Sequence, residues 1–259
     1  MRMGPLRLAL VLLAILWTPA YGQLSENALS GVGIQLAQGA RIPARLHFRD
    51  VAERSLSFGD ALGGKPALLI PVDYTCKSIC GTALTLAADA LSETKLVPGR
   101  DYRLIAVGID AKDGPDQARK MAEANIHAAG ILAASSVLLG DAPTTKTFLT
   151  AIGYRDSYDA GHDQFAHPAV ALAIASDGRI VRAFSSLALN PTDLRLGLIE
   201  AGEGRIGTLG DRLTLICYGF DPARGIYTPL IQRLLWAMAV ATIAIMGALL
   251  LLLFRPRRI

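Results

Sequence analysis

Two cysteines four positions apart, Cys76 and Cys80, carry the plainest chemical signal in this sequence. They stand in Asp73-Tyr74-Thr75-Cys76-Lys77-Ser78-Ile79-Cys80-Gly81, between an apolar run and a segment with helical spacing. A thiol at a helix start feels the positive end of the macrodipole, which favours thiolate over thiol. Thiolate is both the nucleophile and the soft-metal ligand. In a helical turn, positions i and i+4 share a face, so both sulfurs can point at one ion. Two soft thiolates select Cu(I), with zinc the usual competitor. The plainer alternative is a structural disulfide, but a bridge this short closes a small loop and adds little stability by loop entropy. A functional pair is therefore expected.

His167 is open as a third ligand, although a lone histidine more often sits satisfied in a core. It immediately precedes Pro168 and a strand-like run, and a residue before proline is held in extended geometry. Cys76 and Cys80 are the candidate metal ligands, and they double as a redox pair if the chemistry is thiol exchange. The other histidines weigh less. His162 reads as an exposed loop residue, His127 as a complement to a helix end, and His47 has no partner in view. Asp73 and Tyr74 flank the cysteines and are candidates for supporting hydrogen bonds. Cys217 reads as a free or buried thiol; the odd cysteine count leaves an intermolecular bridge open. The sequence has no glycine-rich phosphate loop, Ser-His-Asp order or H-E-x-x-H pattern.

The elements that must position these residues follow from periodicity. Ala67 to Val72 (ALLIPV) suits a buried strand, and Gly81 to Leu91 a helix. Tyr102 to Ile109 reads as a second strand, and Asp116 to Ile126 as a helix opened by Pro115. Val137 to Leu139 is a brief apolar segment and Pro143 to Ile152 a helix. Ala169 to Ala175 and Ile180 to Phe184 flank Ser176-Asp177-Gly178-Arg179, a hairpin signal, and Pro191 to Ala201 closes the domain as a helix. Alternating strands and helices followed by a hairpin predict an α/β fold with a mixed sheet.

Apolar residues make up 52% of the chain, and the excess over an ordinary soluble domain lies at the two ends. Arg2 and Arg7 precede an apolar run from Leu8 to Trp17 and the small residues Ala20 and Gly22, the layout of a secretory signal over residues 1–22. Leu234 to Phe254 carries no charge and is followed by Arg255, Arg257 and Arg258. As a helix it would rise roughly 31 Å, enough to span a bilayer, with its arginines on the cytoplasmic side. Two basic residues lie in the signal and three in the tail, leaving 21 of the 26 against 22 acidic ones. The remaining domain is near neutral, which argues against a nucleic-acid partner. The expected organisation is a signal at 1–22, a linker or loose arm at 23–45, a single domain at 46–216, a juxtamembrane segment at 217–233, a membrane helix at 234–254 and a cytoplasmic tail at 255–259.

The cysteine loop, followed far downstream by Phe165-Ala166-His167 and ten residues after the histidine by Asp177-Gly178-Arg179, resembles the Sco/SenC family of copper chaperones. The similarity covers approximately residues 46 to 222 and includes Cys217-Tyr218-Gly219-Phe220-Asp221-Pro222. It departs from the family pattern at Lys77 and Gly81, where proline is common, at Ala166, where aspartate is common, and in its C-terminal rather than N-terminal tether. The resemblance implies a thioredoxin-like fold in which Cys76, Cys80 and His167 bind copper as Cu(I) or Cu(II). It places Pro168 where thioredoxin-like folds often carry a cis proline. The implied role is delivery of copper to the dinuclear copper site of cytochrome c oxidase subunit II, from a domain held in the periplasm by a single inner-membrane helix. The alternative is a thiol-disulfide reductase acting on cysteines of the same or another exported acceptor. A peroxide-reducing relative would need a threonine where Asp73 stands.

Overall fold

The computed structural model describes residues 32–76, 79–159 and 164–202, with short stretches at 220–221, 226–227, 238 and 240–246. In chain order the strands are β1 (Gly33–Ile34), β2 (His47–Asp50), β3 (Ser55–Ser57), β4 (Ala67–Val72), β5 (Arg103–Gly108), β6 (Ser135–Leu139), β7 (Tyr154–Arg155), β8 (Ser157–Asp159), β9 (Gln164–Ala166), β10 (Val170–Ile174), β11 (Ile180–Ser185), β12 (Phe220–Asp221) and β13 (Ile226–Tyr227). The helices are α1 (Phe58–Leu62), α2 (Cys80–Glu93), α3 (Pro115–Asn125), α4 (Ala129–Ala133), α5 (Ala142–Ala151) and α6 (Pro191–Ala201).

Seven strands form one mixed sheet in the order β11-β10-β4-β5-β6-β2-β3. The three inner strands β4, β5 and β6 run parallel, and the outer pairs are antiparallel. β4 sits between β5 and β10 and is buried along its whole length, which is why it reads as an unbroken apolar run rather than an alternation. Its side chains still alternate between faces. Leu68, Ile70 and Val72 join the core under α2, α3 and α6, while Ala67 and Leu69 join the core with Phe48, Phe58 and Phe148. The sequence pattern pointed to this α/β layering with a mixed sheet, and the arrangement fits the thioredoxin-like fold that the family resemblance implied.

Helix ends follow local chemistry. Pro115 opens α3 in its first turn; Asp141 and Asn190 cap α5 and α6 through side-chain oxygens that accept first-turn N–H groups. α2 is different. Its N-cap is Ile79, with no side-chain cap and no acidic residue in the first turn, so the cysteine loop runs directly into its open end.

Two sequence expectations need revision. The stretch read as a loose arm is partly built into the domain, because β1 pairs with β7 and Ile42 is fully buried. Its few apolar residues show no period, since they dock singly rather than along one face. Pro168 is not a cis proline, because no cis peptide bond occurs among the described residues. Among those residues no helix is long and apolar enough to cross a membrane. The span read at Leu234 to Phe254 falls largely outside them; within it, residues 240–246 are helical, and Val240, Ile243, Ile245 and Met246 are exposed. The signal, His162 and Cys217 also lie outside the described residues.

Candidate metal centre

The register of two strands brings the distant histidine to the cysteines. β10 pairs antiparallel with β4 through Leu172–Leu69, Ala173–Leu68 and Ile174–Ala67. Carried on past Val170, the same register sets His167 level with Tyr74, at the carboxyl end of β4 where the cysteine loop begins. Ligand sites in open α/β sheets gather at such strand ends. β10 hydrogen-bonds β4 no further than Leu69, so β4 has one ladder neighbour instead of two at Pro71, and a proline is tolerated there.

The outcome is a convergence. One ligand atom each from Cys76, Cys80 and His167 lie within 4.8 Å of one another. Cys80 Sγ is 3.3 Å from His167 Nε2. Ligands bonded to one zinc-like ion at about 2.0–2.3 Å stand roughly 3.5–4 Å apart, so the group needs only small adjustment to close on an ion. Cys80 is 3% exposed and Cys76 is partly exposed.

The cysteine loop is fastened from below. The Asp73 carboxylate accepts hydrogen bonds from the Thr75 N–H and hydroxyl, each at 2.9 Å, and the Asp73 carbonyl accepts from Cys76 N–H at 3.2 Å. Asp73, the residue that follows β4, thus supports the cysteine loop. One step further back, the Asp113 carboxylate accepts the Tyr74 N–H at 2.8 Å, and the Tyr74 hydroxyl donates to the Leu138 carbonyl at 3.2 Å.

His167 is held from the opposite side by Tyr154, a residue the sequence reading missed. The Tyr154 hydroxyl lies 2.9 Å from Nδ1 and 3.2 Å from the Pro168 carbonyl, which is itself 3.3 Å from Nδ1. A carbonyl can only accept. The consistent pattern therefore has Tyr154 donating to Pro168 O while Nδ1–H donates to the tyrosine and to that carbonyl. In the neutral ring this leaves the Nε2 lone pair facing the sulfurs, the tautomer a metal ligand requires. The sequence signal for Tyr154 was slight: a tyrosine directly after a predicted helix, whose hydroxyl would need a partner if buried.

Protonation is set by the same contacts. The hydrogen bond to Cys76, burial and the Cys76 charge push the Cys80 thiol far above its ordinary range, against a backbone hydrogen bond from Asp73 that lowers it. Burial pulls the His167 imidazole down; its hydrogen bonds to Cys76 and the Pro168 carbonyl, with the charges of Cys76 and Asp73, push it up and prevail. The Cys80 contacts oppose the thiolate that the helix start alone would favour there. Of the other described histidines, His47 lies on β2, and His127 is exposed between α3 and α4.

No family model and no curated protein matches this sequence. Solved structures do match its fold. A proposed electron transfer protein from Aquifex aeolicus VF5 aligns with a TM-score of 0.56 at 21% identity, over 65% of this chain and 95% of that one. A SCO1/SenC family lipoprotein from Bacillus anthracis aligns with a TM-score of 0.52 at 14% identity, over 64% of this chain and 99% of that one. Arabidopsis thaliana ScoI, solved with copper bound, aligns with a TM-score of 0.51 at 16% identity, over 65% and 99%. The fold of this chain is that of Sco/SenC structures.

Proposed function

We propose that this chain is a Sco/SenC-type copper-handling protein, and that Cys76, Cys80 and His167 are its copper ligands. The observation that carries the reading is the convergence of two sulfurs and one imidazole nitrogen within 4.8 Å, with the ring turned so that Nε2 faces Cys80. Two thiolates suit Cu(I), and an added imidazole makes the set acceptable to Cu(II) as well. Copper is cargo here: it is taken up with loss of thiol protons and passed on by ligand exchange with sulfurs of an acceptor. The acceptor we propose is subunit II of cytochrome c oxidase, reached from a periplasmic position by a domain tethered through the apolar segment at 234–254. Tethering raises the effective concentration of the domain beside a membrane-bound acceptor.

A thiol-disulfide reductase would use the same two sulfurs but has no need of His167. Replacing that residue separates the readings. His167→Ala is expected to lower copper affinity by at least about 10-fold and to abolish a stable Cu(II) complex, while thiol-disulfide exchange persists. Chelator competition in both oxidation states measures this. Wild-type affinity in the variant contradicts the three-ligand assignment.

A further inference from the structure

The candidate ligands differ in how an incoming group can reach them. Cys80 is almost fully covered, while Cys76 is partly exposed and opens onto a shallow groove of about 460 Å³. The groove runs between the first turn of α2, at Gly81 and Thr82, and the face of α3 that carries Gln117, Lys120, Met121 and Asn125. Its two walls meet closely at Gly81, where a Cβ would stand 2.8 Å from Asn125 Oδ1. The Asn125 amide is fixed, with Nδ2 donating to the Met121 carbonyl at 2.8 Å and Oδ1 accepting from the Thr85 hydroxyl at 3.2 Å. Partly buried Met121 supplies an apolar floor, while Thr82, Gln117 and Lys120 are exposed at the rim.

The electrostatics of the groove are one-sided. Among the described residues lining it, Lys120 is the charged one, and no carboxylate faces it. The first turn of α2 also lacks an acidic residue. A segment entering here meets a sulfur at one end and an ammonium group along one wall. We infer that the groove receives the exchange partner as a segment carrying a cysteine with acidic side chains beside it, the thiol meeting Cys76 and a carboxylate meeting Lys120. The inference deepens the copper-delivery reading, because it gives the side from which the acceptor sulfur enters. Rim charges of this kind act chiefly on association rate and weaken as salt is added.

The test uses the reduced full chain without metal and two synthetic peptides, each with one cysteine activated as a mixed disulfide with thionitrobenzoate. One peptide flanks the cysteine with glutamates and the other with lysines. Attack by the Cys76 sulfur joins it to the peptide sulfur and releases thionitrobenzoate, read by absorbance; a Cys76→Ser variant sets the background from other thiols. The glutamate peptide is expected to react about fivefold faster at low ionic strength, with the advantage collapsing in high salt. Lys120→Glu should invert the preference, Lys146→Glu on α5 should leave it intact, and the uncharged reagent dithiodipyridine should react equally with wild type and Lys120→Glu. Equal rates for the two peptides, or a preference that survives Lys120→Glu, overturn the inference. The assay contains no copper, so its failure leaves the metal assignment standing, and failed copper binding leaves the groove standing.

Discussion

The Tyr154 hydroxyl stands 2.9 Å from His167 Nδ1, and the two rings lie nearly parallel, 26° apart with centroids at 6.3 Å. Tyr154 is 5% exposed, so its hydroxyl is fixed by this contact and the Pro168 carbonyl. Through it, a residue outside the candidate ligand set decides which nitrogen of the ring faces the sulfurs. Tyr154→Phe keeps the ring packing and removes the hydroxyl. Copper affinity is expected to fall about 10-fold with little change in melting temperature, measured by chelator competition beside a thermal scan. Unchanged affinity would leave Tyr154 with a packing role alone.

Metal uptake should release protons. The hydrogen bond to Cys76 and burial favour the protonated form of Cys80, and a coordinating thiol must lose its proton. Titration calorimetry with Cu(I) at pH 7, in two buffers of different ionisation enthalpy, should report at least about one proton released per ion. Affinity should rise with pH in the same experiment. Proton-neutral binding would mean that Cys80 is not a ligand.

Asp113 links the cysteine loop to the stability of the fold. Burial, together with the charges of Asp73 and Asp110, raises its carboxyl from 3.8 to about 6 against the lowering hydrogen bonds of the Tyr74 N–H and Thr75. Its second oxygen, Oδ1, is buried without a hydrogen-bond partner among the described residues. The folded state therefore prefers the protonated acid. The stability this gives is full below the unfolded value near 3.9 and is lost as pH rises through about 6. At about 1.4 kcal/mol per unit, the swing is at most about 3 kcal/mol. Asp113→Asn keeps an acceptor for Tyr74 and supplies a neutral group. It is expected to flatten the urea midpoint between pH 4 and 6 and to equal or exceed wild-type stability at pH 7. A variant that keeps the wild-type slope would assign the effect to other groups.

Much of the scaffold was legible because its signals are local. The apolar run at Ala67 to Val72, the turn at Asp177-Gly178 and the helix Pro191 to Ala201 each carry their period and end signals within a few residues. The cysteine pair was legible for the same reason. His167 could be tied to it only through the family likeness, since their meeting depends on the register of β10 against β4. Tyr154 and Asp113 stayed hidden because their roles are wholly non-local. Tyr154 is carried by β7, which pairs with a two-residue strand 121 positions earlier; the burial of Asp113 comes from packing against the loop at Asp73 and Tyr74. Short elements such as β3 and α1 offered too few residues for any period to show.

In the proposed centre one ion is bound by two sulfurs and one imidazole, drawn from positions as much as 91 residues apart. X-ray absorption on the chain loaded with Cu(I) tests it most directly. Two sulfur scatterers and one nitrogen of imidazole type are expected around each copper, with the nitrogen lost in His167→Ala. A shell of sulfur alone in the wild-type protein, or a nitrogen that persists in the variant, would contradict it.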